Sequence, residues 1–448
     1  TALAATGGVI EFSAGTFLFS SQLTSTCAGA LTLKGAGPRQ TLLKWTAATT
    51  HGVNITYTSL VERPEVRDLG FITDSFATGT ALEITGPASA STTTPGPLVE
   101  NTIIRGDDTS VDCWLKAVRL YQCWNAVIHI IGIKGLDDAT SPFDHTQGIE
   151  LIDCPDCMIN KIYVYHTENC VRVAGSAAST VGGGDGCKIT DFVFVGVTNG
   201  LVVDRPATCT GFWASTGHVN AYTRSITLTN TRQFQLNDLE LFKTNISPNN
   251  WEGIELTSCD YGFVHDITIS CPGVTAAAFS IGVGVTDTAH CTFSNLSGQF
   301  WAPAASTFIV VNSSSQDNYF SNISYPTNET NFTNVILFQG AANNNRCSNI
   351  RPQAMQAFTA SDATPSVGNA IGPLFRTANA IGTLITNFDD PYATQEFTLQ
   401  FNDTKTTIQH NAGLILKGAV PCVSTTNNGG ILHFFYDGTV WRETARSF

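Results

Sequence analysis

Charge is scarce in this chain. Of its 448 residues only 13% are Asp, Glu, Lys or Arg, and the 36 acids outnumber the 23 bases, for a formal net charge of -13. No run of Lys or Arg occurs, so no nucleic acid and no anionic membrane surface is expected as a partner. No apolar stretch reaches the ~18 to 20 residues of a membrane span, and membrane insertion is not expected. A basic stretch followed by an apolar one is also missing from the start, so no cleaved export signal is visible. The 13 cysteines are scattered at strand-like positions rather than set at metal-ligand spacing, and the one C-x-x-C, Cys154-Pro-Asp-Cys157, has no second pair. They read as reduced thiols stacked in a core, and neither a metal nor another cofactor is expected. Gly182-Gly-Gly-Asp-Gly186 resembles a phosphate loop only in its glycine content, since no Lys-Ser/Thr pair and no helical pattern follow.

What the chain does have is a repeat. Short alternating strands such as Ile149-Glu150-Leu151 recur with first apolar residues at Leu82, Val118, Ile149, Val171, Leu201, Ile226, Ile254, Ile281, Ile309 and Ile336. The last steps are 27 or 28 residues. A second ladder keeps the same period: Asp238, Asp266, Asn295, Asn322 and Asn349, each just before an Ile or Leu. Period-2 strands rich in Ile, Val, Leu and Thr, joined by Asn/Gly/Ser turns, predict an all-β chain: a right-handed parallel β-helix in which equivalent residues stack in columns. The Asp/Asn ladder reads as structural, at a turn where these side chains bond the backbone. The helix is expected over 1–352. The period fails there, so 353–390 reads as a connecting region and 391–448 as a small β-rich tip ending in a hairpin turned at Asp437-Gly438.

Outward positions collect the scarce charge. Along one face stand Glu83, Arg119, Glu150, Arg172 and Glu255, with Gln147, Asn169, Asn199, Arg224 and Glu252 beside them. Such a groove suits a polar, hydroxylated polymer. Glycoside cleavage needs two carboxyl groups flanking the bond, ~5 to 5.5 Å apart for retention and ~6.5 to 9.5 Å for inversion. Two pairs offer this: Glu150 with Glu168, and Glu252 with Glu255, where Trp251 and Arg224 adjoin. These four acids are the candidate catalytic residues. Trp251, Arg224, Tyr222, Arg172, His145 and Asp144 are the candidate substrate-binding residues. A plain surface ion pair between Glu150 and Arg172 is the competing account of those two. A lyase would instead need a base beside a uronate, and His218, Tyr222 and Arg224 fall in one coil.

Three stretches carry resemblances. Gly7-Gly8-Val-Ile-Glu-Phe-Ser-Ala-Gly15-Thr16 resembles the first coil of the pectate-lyase-like superfamily. His145-Thr146-Gln147-Gly148-Ile149-Glu150-Leu151, followed by a strand and then Thr167-Glu168-Asn169-Cys170-Val171-Arg172-Val173, resembles the active-site coil of polygalacturonase-related glycoside hydrolases, N-T-D-G-I-D-I and G-D-D-C-I-A-I. Gln147 and Asn169 replace two of that family's acids, which argues against pectin. Leu432-His-Phe-Phe-Tyr-Asp-Gly-Thr-Val-Trp-Arg-Glu443 resembles the terminal hairpin of phage tail fibres and tailspikes. The whole therefore looks like a bacteriophage tailspike that depolymerises polysaccharide. That resemblance implies a homotrimer closed by the hairpin, whose aromatics a short module would not bury alone. It also implies a preceding segment attached to the phage tail, a place in the virion, and internal cleavage of bacterial surface polysaccharide (capsule, O-antigen or exopolysaccharide) by an endo-acting glycoside hydrolase. A β-eliminating lyase, a non-catalytic adhesin and a secreted pectinase-like hydrolase remain as alternatives.

Overall fold

The structure is a computed structural model, and it describes residues 7–447 apart from 89, 138–144, 176–184, 206–207, 245–249, 272–279, 301–305, 325–331, 340–343, 352–355, 368–373 and 392–394. Among the described residues 25 strands form one parallel ladder, a β-solenoid of about 13 turns. Two strand columns carry the site. The first runs through Thr78–Thr85, Trp114–Tyr121, Gln147–Ile152, Asn169–Ala174 and on to Trp251–Thr257 and Ser280–Thr286. The second runs through Val127–Lys134, Met158–Tyr165, Gln235–Lys243, Phe263–Cys271 and Tyr319–Ser324. Lys188–Asp204 and Trp213–Thr229 are long enough to turn the bend and belong to both.

The anchors Leu82, Val118, Ile149, Val171, Leu201, Ile226 and Ile254 do stand in register, rung on rung. Ile281 does not: Ile254 pairs with Val283, and Val283 with Ile309. Ile281 is half-buried above Glu252 instead. The Asp/Asn ladder is also in register and sits in the left-handed region at every rung, with φ of +54° at Asp238, +56° at Asp266, +54° at Asn295, +52° at Asn322 and +50° at Asn349. Asn and Asp tolerate this conformation better than other side-chain-bearing residues, which is why they recur there. Their amides link the rungs: Asn322 Nδ2 donates to Asn295 Oδ1 at 3.0 Å, and Asn295 Nδ2 to Asp266 Oδ1 at 2.9 Å.

The opposite corner explains the cysteines. Pairs of left-handed residues, Asp153 and Asp156 or Ser258 and Tyr261, bracket an inward small side chain, Cys154 or Cys259. The backbone N–H of Cys123 donates to Cys154 Sγ at 3.3 Å, and Cys154 Sγ–H donates to the Leu120 carbonyl at 3.3 Å. Later in the chain Thr288 and Ser315 do the same work, Cys259 N–H donating to Thr288 Oγ1 at 3.4 Å and Thr288 N–H to Ser315 Oγ at 3.2 Å. Cys154 and Cys157 are thus core donors, both buried. Burial pushes the Cys291 thiol up to about 12, leaving it with little thiolate to react.

An inward asparagine takes over from Cys291 in the last rungs. Buried Asn318 accepts the Cys291 N–H at 3.0 Å and donates to the Thr288 carbonyl at 2.9 Å and to Asn345 Oδ1 at 3.1 Å. Asn318→Ala orphans that N–H, and a buried unsatisfied donor costs about 1–3 kcal/mol. The expected result is a stability loss of that size in urea unfolding, with faster hydrogen exchange at the Cys291 amide.

Beyond Arg346–Arg351, the last strand of the ladder, a six-stranded and a three-stranded sheet follow. This corrects two expectations. Residues 356–391 are more than a connector: Gln356–Ala357, Leu374–Arg376 and Thr383–Ile385 pair with later strands. Nor does the hairpin leave its aromatics to a partner. Phe434 and Trp441 are buried within the single chain, in one cluster with Phe358, Phe375, Phe388, Phe397 and Leu399. The residues assigned to a connector supply the walls, so the module is larger than the tip read from sequence and buries its own core.

Candidate active site

Inward and outward positions on the first sheet are fixed by the pleat, with one exception in each coil where the chain bends. In Trp251–Thr257, Trp251 points in, Glu252 out, Gly253 and Ile254 both in, and Glu255 out again. Gly253 is required at the bend: a Cβ there would come within 2.6 Å of the Gly282 carbonyl and 3.3 Å of the Trp251 ring. Two outward columns result. One is Lys116, Gln147, Asn169, Asn199, Arg224 and Glu252; the other is Glu83, Arg119, Glu150, Arg172, Val202, Thr227 and Glu255.

Glu150 is 3% exposed, shut in by three cations: Lys116 Nζ at 2.7 Å, Arg119 Nε at 3.2 Å and Arg172 Nη1 at 3.2 Å. Arg172 reaches on to Asp204 at 2.9 Å. This corrects the reading of Glu150 as half of a catalytic pair. Outward by alternation, it is covered by the long cationic side chains of the rungs on either side, and it acts as a brace between coils. Glu168 is half-buried and lies at the end of a polarised chain of amides. Asn199 Nδ2 donates to Asn169 Oδ1 at 3.0 Å, Asn169 Nδ2 donates to Gln147 Oε1 at 2.8 Å, and Gln147 Nε2 donates to Glu168. Of the residues that depart from the polygalacturonase pattern, Gln147 therefore donates to Glu168 and Asn169 to Gln147 behind it.

Glu252 and Glu255 both reach Arg224. Arg224 Nε lies 3.5 Å from Glu252 Oε2 and 2.9 Å from Glu255 Oε2, and Thr227 Oγ1 donates to Glu255 at 3.4 Å. Sharing one guanidinium nitrogen brings the two carboxylates together on one face, as the paired acids of a glycoside hydrolase must be. Burial raises the Glu252 carboxyl above its ordinary range, the Glu255 charge adds to the rise, and Arg224 opposes it. One acid is thus held toward its neutral form although it accepts from Arg224, beside a second that Arg224 pairs with and Thr227 bonds.

Three further candidates do not take the places expected of them. Trp251 is completely buried and offers no face to a sugar; alternation around outward Glu252 turns it inward. Tyr222 is 3% exposed, packed at the bend. His218 lies on the second sheet, its Nδ1 3.4 Å from Glu240 Oε2, in a groove with Tyr163, Asp191 and Asp238. His218, Tyr222 and Arg224 therefore do not form one lyase site: they are split between two faces and the core. His145 is half-buried with its ring against Phe76, centroids 4.9 Å apart. Asp144 lies outside the described residues. No group of three or more His, Cys, Asp or Glu side chains set to hold a metal occurs among the described residues.

No known family profile matches the sequence, and no curated protein matches it. Solved structures do. The chain is similar to the A-module of the Azotobacter vinelandii mannuronan C-5 epimerase, at a TM-score of 0.53 and 11% identity over 77% of this chain and 90% of that one. It also matches the tailspike of E. coli bacteriophage HK620 in complex with a hexasaccharide, at 0.43 and 10% over 77% and 72% of the two chains. A mannuronic acid specific family 6 polysaccharide lyase from human gut microbiota gives 0.42 and 10% over 84% and 86%. What the chain shares with the epimerase module is the fold, a parallel β-helix whose coils carry outward columns of side chains.

Proposed function

We propose that this chain is an endo-acting glycoside hydrolase of bacterial surface polysaccharide, with Glu252 as general acid and Glu255 as nucleophile. The observation that carries the reading is the pair itself: Glu252 is raised by burial and by the Glu255 charge although it accepts from Arg224, while Glu255 forms an ion pair with Arg224 and accepts from Thr227. A carboxyl whose surroundings favour its neutral form is the one suited to give a proton to the leaving oxygen. Glu252 protonates the leaving glycosidic oxygen as Glu255 attacks the anomeric carbon. Water, deprotonated by Glu252, then releases the glycosyl group with net retention. Arg224 must yield Glu255 to the incoming sugar and bond its hydroxyls. Glu168, three coils away at ~14 Å by the strand spacing, binds a sugar further along the same groove.

Reducing-end release from a panel of purified capsules, O-antigens and exopolysaccharides tests the activity, and the anomer formed first, read by NMR, tests retention. A glycan bound tightly but never cut would leave an adhesin. Products carrying a conjugated unsaturated uronate would make it a lyase. The likeness of the hairpin 432–443 to that of tailspikes supports a further part of this reading, that the chain is a phage tailspike and trimeric as that likeness implies. The hairpin's aromatics, buried within one chain, do not bear on the trimer, and a solution mass of a single 47.8 kDa chain would sink this part of the reading.

The acid role also fixes a pH signature. Glu252 works protonated, so activity falls as pH rises through its pKa. Arg224→Gln removes a charge that lowers that pKa, and the basic limb of kcat should move to higher pH. Glu255→Gln acts in the opposite sense on Glu252, because it removes a charge that raises it.

A further inference from the structure

A second surface speaks to how such a polymer is held. On the second sheet the outward column reads Met158, Lys188, Trp213, Gln235, Phe263, Thr292, Tyr319, Arg346, each in register with the next. Trp213, Phe263 and Tyr319 occupy alternate rungs, and a polar side chain stands between each pair. Rungs are ~4.8 Å apart, so these aromatics recur every ~9.6 Å along the axis. Trp213 and Phe263 form the sides of a groove floored by Gln235 and closed by Gln233, Phe234 and Tyr261. Phe263 is 56% exposed and Tyr261 49%. Lys188 Nζ lies 5.1 Å from the Trp213 ring centroid, Arg232 lies 5.9 Å from that of Tyr261, and Gln235 Nε2 lies 3.1 Å from His265 Nε2.

We infer that this groove is a glycan-holding site, taking an extended pyranose polymer that runs parallel to the solenoid axis. Flat aromatic faces stack on the apolar C–H faces of pyranose rings, and the amides of Gln233 and Gln235 can both donate to and accept from ring hydroxyls. No carboxylate lines the groove among the described residues, and with Arg232 paired to Asp260 at 3.0 Å the cation beside it is Lys188, which favours neutral or anionic sugars. An aromatic on every second rung suits a chain that presents the same face once per disaccharide. The site rests on the proposed function, because it is the polymer to be cut that it holds. Trp213 and Phe263 share coils with Arg224 and Glu252, but lie around the Ser258–Tyr261 corner from the cleaving pair. One function is retention of the polymer between cuts; the other is cleavage.

The test uses Phe263→Ser and Gln235→Ala in the full chain, both at surface positions away from the carboxylate pair. The probe is a printed panel of purified capsular and O-antigen polysaccharides, followed by kinetics on the polymer that the unaltered protein binds best and on its shortest cleavable oligosaccharide. Expected is affinity for the polymer weakened about tenfold or more, with KM raised on the polymer and kcat on the short oligosaccharide unchanged. Undiminished polymer binding in both variants overturns the holding site and leaves the proposed activity standing. A polymer that binds and is never cut, with binding lost in the variants, overturns the hydrolase and keeps the site. No binding to any glycan of the panel overturns both. A change of oligomeric state by light scattering, with glycan affinity intact, makes the aromatic column a contact between subunits and overturns the site.

Discussion

Glu252→Gln lowers kcat for polysaccharide cleavage by about 10² to 10⁴, the range that a positioned general acid supplies, and leaves polymer affinity intact. The amide fills the same space beside Arg224 but has no acidic proton to give the leaving oxygen. A substrate with an activated leaving group, such as an aryl glycoside, needs no such proton, so the variant should release its aglycone in a first burst at close to the unaltered rate and then turn over slowly, because the water of the second step has lost its base. Glu255→Gln behaves differently. It loses both reactions, because no nucleophile remains for either leaving group. This contrast assigns the roles, and it separates them from a loss of folding, which would remove both reactions in both variants. Full activity of Glu252→Gln on native polysaccharide would show that the catalytic acid lies elsewhere, Glu168 being the next carboxylate to replace.

Trp441→Ala unfolds the C-terminal module while the solenoid persists. The indole packs edge-on against Phe388 at 5.8 Å and Phe397 at 5.0 Å, and its Nε1 donates to the Phe388 carbonyl at 3.0 Å. Truncating a buried Trp costs about 3–5 kcal/mol, and the lost hydrogen bond adds to it. The module's core is a cluster distinct from that of the solenoid. Limited proteolysis should therefore cut the variant after about residue 352 and leave a stable β-rich fragment, and the thermal transition of the module alone should fall. A single transition shifted as a whole would mean that the two cores unfold together.

How far the sequence reaches depends on what each residue's neighbours on adjacent rungs are. Ile149 or Leu201 announces its column because one apolar side chain per coil falls at a fixed step. The strand Ile281-Gly-Val283-Gly-Val285 cannot be placed that way, since apolar residues stand at every second position and the bend decides which two point inward. Glu150 and Glu255 look alike in sequence, both outward and both beside an arginine. Only stacking shows that Lys116, Arg119 and Arg172 converge on the first, while among the described residues Arg224 is the cation that reaches the second. Trp251 misleads because an aromatic beside an acid invites a sugar, although alternation from Glu252 already turns it inward. The aromatic groove left a usable trace: three residues before successive members of the second ladder stand Gln235, Phe263, Thr292, Tyr319 and Arg346.

The left-handed corners make length a quantised property of this molecule. Asn230, Ser258 and Asp287 have nearly the same φ, +52°, +54° and +48°, and open equivalent turns. Joining the chain just before one of them directly to the next one removes one whole coil and brings matching backbone ends together. Every column then shortens by one rung of ~4.8 Å, and none changes register. The number of sugars such a surface can span therefore changes only in whole steps, whereas an insertion within a strand would turn every later side chain of that strand to the wrong face.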